Sequence, residues 1–252
     1  MATLLRRRRS EARPDPNAMT LFEHLTELRR RLIICVIAVA LCAILAYVLF
    51  DPILRFFMHP YCETLPKGEP CQLKVLSPLD NLSIRLKISG FGGLFFASPV
   101  VLWQLWRFVT PGLKAREKRY AIPFVAATIL LFALGAYTAY LTFPHALGFF
   151  SSVGTSLLSA NYTADNYLGL LMLLMVAFGV TFEFPVVLVS LELAGVVKSA
   201  QLGKYRRMEI IAVVIFAAVV TPSSDPFSFL AMAVPMLVFY EISIVIGKAL
   251  GK

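Results

Sequence analysis

Apolar and polar positions fall along this chain in long blocks rather than short periods. Six apolar stretches stand out: Leu32–Phe50, Ile88–Trp106, Ala121–Phe143, Tyr167–Leu191, Ile210–Val220 and Phe227–Ile246. Four of them reach the ~20 residues that cross a ~30 Å hydrocarbon core. The fifth is short, roughly 16 Å at ~1.5 Å per residue, and Pro235 and Glu241 interrupt the sixth. Just before the first stretch the pattern becomes amphipathic. At ~100° per residue Leu21, Leu25, Leu28 and Leu32 share one face, with Glu23, Glu27 and Arg30 opposite. Thr20 and Glu23 fit a capping box. The pattern predicts a helix that starts there and runs unbroken into the first span.

Composition agrees with these blocks. The chain has 252 residues, 58% hydrophobic and 15% charged, where a soluble domain carries ~25% charged residues. The fold class is therefore an all-α integral membrane protein. A six-helix transmembrane domain is expected over 20–248, with spans near 32–50, 88–106, 121–143, 167–191, 210–220 and 227–246, the last two short. Residues 1–19 are polar, carry Pro14 and Pro16, and are expected to form a disordered basic cytoplasmic tail.

The net charge of +9 raises the question of nucleic acid, and its distribution answers it. With the N-terminus inside, the inner segments hold Arg6–Arg9, Arg13, Arg29–Arg31, the basic residues of 107–119, those of 198–207, and Lys248 and Lys252. The last two outer loops hold none. This asymmetry selects an N-in/C-in arrangement and explains the basic pI without a nucleic-acid partner. The Arg6–Arg9 run reads as an orientation signal and a contact with membrane lipid headgroups. The first apolar run is too long for a secretory h-region and reads as a retained span.

Proline and glycine punctuate the rest. The second span carries Gly90, Gly92, Gly93 and Pro99, predicting close helix approach and a bend. The first outer segment, Asp51 to about Asp80, is expected to be a loop, and the third span is expected to exit at Pro144. Cys62 and Cys71 lie nine residues apart in that first loop, with only His59 nearby. A disulfide suits them better than zinc. Cys35 and Cys42 read as small apolar residues within the first span.

No catalytic constellation is present. G-x-S-x-G, H-E-x-x-H and phosphate-loop patterns are absent, so neither an enzyme, a metal site nor a cofactor is expected. Polar groups at depth are the informative ones, since a carboxylate there costs ~3 kcal/mol or more unless neutral, paired or hydrated. Glu183 is the foremost. Glu241 is a second, nearer the inner end, and Gln104 is a possible partner of either. Glu27 and Glu117 lie on the inner face. Their simpler reading is local pairing, Glu27 with Arg30 or Arg31 and Glu117 with Arg116 or Arg119. The sharper one is reception of an incoming guanidinium through two hydrogen bonds.

H-L-T-E-L-R-R-R before the first span, P-V-V-L-W-Q-L-W-R-F-V-T-P-G-L-K-A-R-E-K-R after the second and F-G-V-T-F-E-F-P in the fourth occur in this order. Together with the T-P-S-S-D-P-F-S turn they resemble the TatC family, the multispanning core of the twin-arginine protein translocase. The resemblance covers roughly Thr20 to Lys248. It implies export of folded proteins across the bacterial cytoplasmic (inner) membrane, driven by the protonmotive force. It implies a cupped bundle, binding of twin-arginine signal peptides, TatA and TatB as single-span partners, and a homo-oligomer within the complex. By resemblance Glu27 and Glu117 receive the signal arginines, Phe108 lies in the same patch, and Arg29 and Arg119 flank it. Glu183 matches the polar intramembrane residue tied to the partner subunits. The longer basic tail and the Cys62/Cys71 pair depart from many relatives. The competing reading is a proton-coupled secondary transporter of a small solute, built on Glu183.

Overall fold

The computed structural model describes residues 21–65, 70–109, 121–153, 162–221 and 225–249. The tail over 1–19 and Thr20 of the expected capping box lie outside them, as does the side chain of Glu23. Among the described residues the elements are α1 (Leu21–Val48), α2 (Phe50–Cys62), α3 (Asp80–Val109), α4 (Ala121–Val153), α5 (Ala164–Thr181), α6 (Phe184–Leu193), α7 (Ser199–Lys204), α8 (Arg206–Val220) and α9 (Pro226–Ala249). Among the described residues, five segments are long and apolar enough to cross a membrane: α1, α3, α4, α5 together with α6, and α9. Of the two last spans expected to be short, α8 with 15 residues is roughly 22 Å long at ~1.5 Å per residue, but α9 with 24 residues continues through Pro235 and is long enough to cross a membrane.

The expected loop between the first two spans is in part a helix. Asp51 sits in the first turn of α2, where the helix dipole favours an acid. Phe57 and Pro60 form the buried face. Pro60 brings no N–H to the carbonyl of Phe56 four residues earlier, and the Tyr140 hydroxyl donates to that carbonyl at 3.0 Å. The next carbonyl, of Phe57, accepts from the Tyr167 hydroxyl at 2.8 Å. Two tyrosines of the neighbouring helices thus hold α2 in place, a tertiary event that its own pattern does not announce.

The third span does not exit at Pro144 either, because α4 continues to Val153. Phe143, Ala146 and Leu147 are buried on either side of the proline. The close packing of these side chains supplies dispersion contacts that work against the ~3 kcal/mol proline penalty. At Pro99 the freed carbonyl belongs to Phe95, and the Ser98 hydroxyl donates to it at 2.7 Å. The connection between the fourth and fifth apolar stretches contains α7, and α8 starts at Arg206, ahead of the expected Ile210.

Cys62 closes α2 and its sulfur is joined to that of Cys71, with Cα atoms 5.3 Å apart. Three residues on, the carbonyl of Lys74 accepts from the Ala164 N–H at 2.9 Å, at the start of α5. Cys35 and Cys42 are free.

The core lies among α3, α4, α5 and α9, with Ile88, Phe143, Leu168, Leu171, Phe178 and Phe182 fully buried. Helix α1 stands outside this core and packs chiefly on α3. Its one buried residue among those described is Ala46. A Cβ on Gly93 would come within 2.7 Å of the Ala43 backbone nitrogen, and one on Gly92 within 2.9 Å of the Ala46 Cβ. The two backbones therefore touch, as small residues allow in membranes. Replacing Gly93 by Leu should separate α1 from α3 at a cost of about 1–3 kcal/mol or more. A lowered unfolding temperature of the purified protein in detergent, compared with Gly90→Leu where space is open, is the measurement.

Candidate functional site

Helix periodicity builds the first site. His24, Glu27 and Arg31 recur at three- and four-residue spacing and so share one face of α1. Gln104 and Phe108, four apart, share one face of α3. Where the two helices meet, the His24 ring stacks on Phe108 with centroids 4.4 Å apart and planes 22° from parallel. One helical turn deeper, Arg31 donates through Nε to Glu27 Oε1 at 3.1 Å, and through Nη2 to the same oxygen. Its third nitrogen, Nη1, donates to Gln104 Oε1 at 3.4 Å. Arg29 and Arg30 are exposed beside this cluster. Glu117 and Arg119 lie outside the described residues.

Of the two local partners considered for Glu27, Arg31 is therefore the one used. Gln104 pairs with Arg31 at this end rather than with Glu183 or Glu241. His24 was not singled out by sequence, although its spacing to Glu27 and Arg31 carries the signal.

The second site surrounds Glu183. Helix α5 ends at Thr181 and α6 begins at Phe184 with proline in its first turn. Pro185 has no N–H for the i−4 bond, and the Glu183 N–H donates instead to Val180 at 3.1 Å. The break puts the half-buried Glu183 side chain on a cavity of about 680 Å³ lined by α3, α4, α5, α6, α8 and α9, among them Leu102, Phe132, Val187, Phe216 and Met236. Trp106 Nε1 donates to the Thr128 hydroxyl at 2.8 Å, and that hydroxyl lies beside the Glu183 carboxylate. Glu209, at the start of α8, lines the same cavity. Among the described residues, Oε1 of Glu183 and Oε1 of Glu209 have no hydrogen-bond partner.

Glu241 does not join Glu183. Half exposed, it takes a hydrogen bond of 2.7 Å from Arg206 Nη2 at the end where α8 begins. A further acid, Glu192, is 1% exposed and accepts from Ser199 Oγ at 2.8 Å. Gly247 of α9 leaves the room for both, since a Cβ there would collide with the Glu192 carboxylate and the Ser199 hydroxyl. Glu192 was missed because it lies just beyond an apolar run, where an acid reads as a solvated helix end. At the opposite end Lys87 Nζ donates to Asp165 at 2.6 and 2.8 Å. No metal-binding group of three acids, histidines or cysteines occurs among the described residues.

Long apolar helices with one acid–base surface at the end of α1 and α3, and one carboxylate-bearing groove, define a multi-pass helical membrane protein. The family profile described as "Sec-independent protein translocase protein (TatC)" matches residues 23–235. A protein of that name from Frankia casuarinae is 39% identical over 243 residues, covering 92% of this chain and 66% of its own. One from Aquifex aeolicus is 41% identical over 233 residues, covering 91% and 95%. A solved structure titled "Crystal Structure of Twin Arginine Translocase Receptor- TatC" superposes with a TM-score of 0.74 at 39% identity, covering 91% of this chain and all of that one. The chain belongs to the TatC family. The transporter reading finds no support among these relatives.

The link from α3 through α4 to the α5–α6 break is testable. Thr128→Val removes the hydroxyl between Trp106 and Glu183 and should destabilise the purified protein by about 1–3 kcal/mol. Thermal unfolding in detergent, with Thr138→Val on the same helix as control, reads the difference.

Proposed function

We propose that this chain is the signal-peptide receptor core of a twin-arginine translocase, exporting folded proteins across the bacterial cytoplasmic membrane on the protonmotive force. The observation that carries this reading is the 39–41% identity to translocase proteins along more than nine-tenths of the chain. The placement of Glu27 beside the α3 end that bears Phe108 supports the same conclusion. In this reading six spans run N-in/C-in, with α8 as the short fifth span, and the bundle is cupped around the Glu183 groove. In that arrangement 19 of the 24 lysines and arginines fall on the inner side, the bias that the positive-inside rule describes.

On the inner face Glu27 and Glu117 take the two signal-peptide guanidiniums, each capable of a bidentate, charge-assisted pair. Phe108 offers an apolar and π surface beside them, and Arg29 and Arg119 flank the patch. Glu183 contacts the single-span partners TatA and TatB from the groove, where a polar group on a partner helix finds a partner that lipid does not supply. Gln104 belongs to the inner-face site and Glu241 to the inner end of α9. The chain works as a homo-oligomer within the complex, needs no cofactor, and binds no nucleic acid.

Glu117→Ala should abolish crosslinking to a twin-arginine signal peptide while the protein still inserts. Glu183→Ala should keep that crosslink and lose the crosslink to the single-span partners. Unchanged signal-peptide crosslinking in Glu117→Ala would remove Glu117 from the receptor site.

On the outer side the Cys62–Cys71 bond closes the loop between α2 and the Lys74 segment in the cell as well. Mass spectrometry of unreduced protein digested from isolated membranes should yield the linked peptide pair. Two alkylated thiols would refute oxidation.

A further inference from the structure

The Glu27 carboxylate is already occupied. Arg31 spends two of its three nitrogens, Nε and Nη2, on one oxygen, Oε1. The other oxygen, Oε2, is buried and has no hydrogen-bond partner among the described residues. The two side chains are only 21% and 14% exposed, so an arriving arginine finds neither oxygen open. Arg31 also has a second place to go, because Nη1 already rests on Gln104 Oε1 across the helix interface at 3.4 Å.

We propose that Arg31 is a resident guanidinium in the receptor site, released onto Gln104 when a signal-peptide arginine takes Glu27. The proposal rests on the receptor reading above and adds to it how the site is kept closed and how it selects. Binding becomes an exchange of one guanidinium for another. The resident pair uses one carboxylate oxygen, whereas an incoming arginine free of the α1 backbone can use both in a fork-to-fork pair. The exchange therefore runs forward for arginine. A lysine ammonium is a compact point charge without the fork, so it does not recover what leaves with Arg31. Occupied by Arg31, the site discriminates arginine from lysine more sharply than an open carboxylate would. Arg31 also keeps a partly buried acid paired between cargoes, which avoids the cost of an unpartnered buried charge.

The probes are two labelled synthetic signal peptides, one with the Arg-Arg pair and one with Lys-Lys in its place. Fluorescence anisotropy measures their binding to the full chain purified in detergent. Arg31→Gln should tighten Arg-Arg binding roughly two- to fivefold, the scale of one lost partly exposed ion pair. It should tighten Lys-Lys binding more, shrinking the ratio between them. Gln104 reports on the same exchange without touching the arginine. Gln104→Glu gives Arg31 a stronger landing place and should tighten binding, while Gln104→Leu removes it and should weaken binding. Weaker or unchanged Arg-Arg binding in Arg31→Gln, with the peptide ratio also unchanged, overturns the exchange. So do Gln104 variants that shift binding in the same direction. Glu27→Gln separates the two levels. If it abolishes binding while the Arg31 and Gln104 variants behave as wild type, the exchange alone fails. If it leaves binding intact, the receptor reading of Glu27 fails with it.

Discussion

The cluster of His24, Glu27, Arg31, Gln104 and Phe108 depends on the backbone contact between α1 and α3. Helix α1 shows most of its apolar surface to its surroundings and has no second large partner. In a bilayer no hydrophobic effect presses helices together, so association relies on dispersion over closely fitted surfaces. Ala43 and Ala46 against Gly92 and Gly93 provide that fit. The contact also sets the register. From Ala43 back to Arg31 is twelve residues, ~18 Å, and from Gly93 forward to Gln104 is eleven, roughly 17 Å. The antiparallel helices thus bring the two polar side chains level. A slip of one residue would move Arg31 ~1.5 Å and turn it ~100°, breaking the Gln104 contact and the His24–Phe108 stack together. Towards the other end the same register sets Arg85 over the rings of Tyr47 and Phe50, at 4.5 and 5.0 Å.

The acids of this chain are sorted by the partners available at their depth. Near the helix ends a cation is within reach: Arg31 for Glu27, Arg206 for Glu241, Lys87 for Asp165. Where no cation reaches, Glu183 at the α5–α6 break lies by a threonine hydroxyl, and Glu192, buried at the end of α6, has a serine hydroxyl. A hydroxyl both donates and accepts, so it serves a carboxyl group in either protonation state, which a guanidinium cannot do. The same logic governs the prolines. Each removes a backbone donor, and at Pro60 and Pro99 a nearby hydroxyl takes the orphaned carbonyl. Breaks in apolar helices persist here because a neighbour satisfies what the break exposes.

Block hydropathy made the apolar helices legible, and α1 carries Leu25, Leu28 and Leu32 on one face as helical spacing indicates. The close approach at Gly92 and Gly93 was also readable, since small residues in an apolar span have few other uses. What depends on tertiary contact was not. Helix α2 looks like a Pro-rich loop until Tyr140 and Tyr167 are in place, and Pro144 looks like a helix end until Phe143 and Leu147 are seen to be buried. For the site, sequence limited Glu27 to Arg30 or Arg31 but had no means to pair Gln104 across 73 residues with Arg31. Glu192 was hidden because only the return of α7 and α9 buries it.

The groove shows why the short α8 and the α5–α6 break belong together. In the proposed six-span arrangement, α8 at roughly 22 Å does not cover a ~30 Å hydrocarbon layer, so the bilayer beside it would thin or the helix ends would draw headgroups and water inward. Helix α8 forms one wall of the cavity that the α5–α6 break opens, and that cavity holds Glu183 and Glu209. Two carboxylates facing a full-thickness bilayer would each cost ~3 kcal/mol or more. Beside a short wall they lie closer to water than their place in the sequence indicates. Lengthening α8 would restore the thickness and with it the penalty, so the shortness of α8 and the acids of the groove constrain each other.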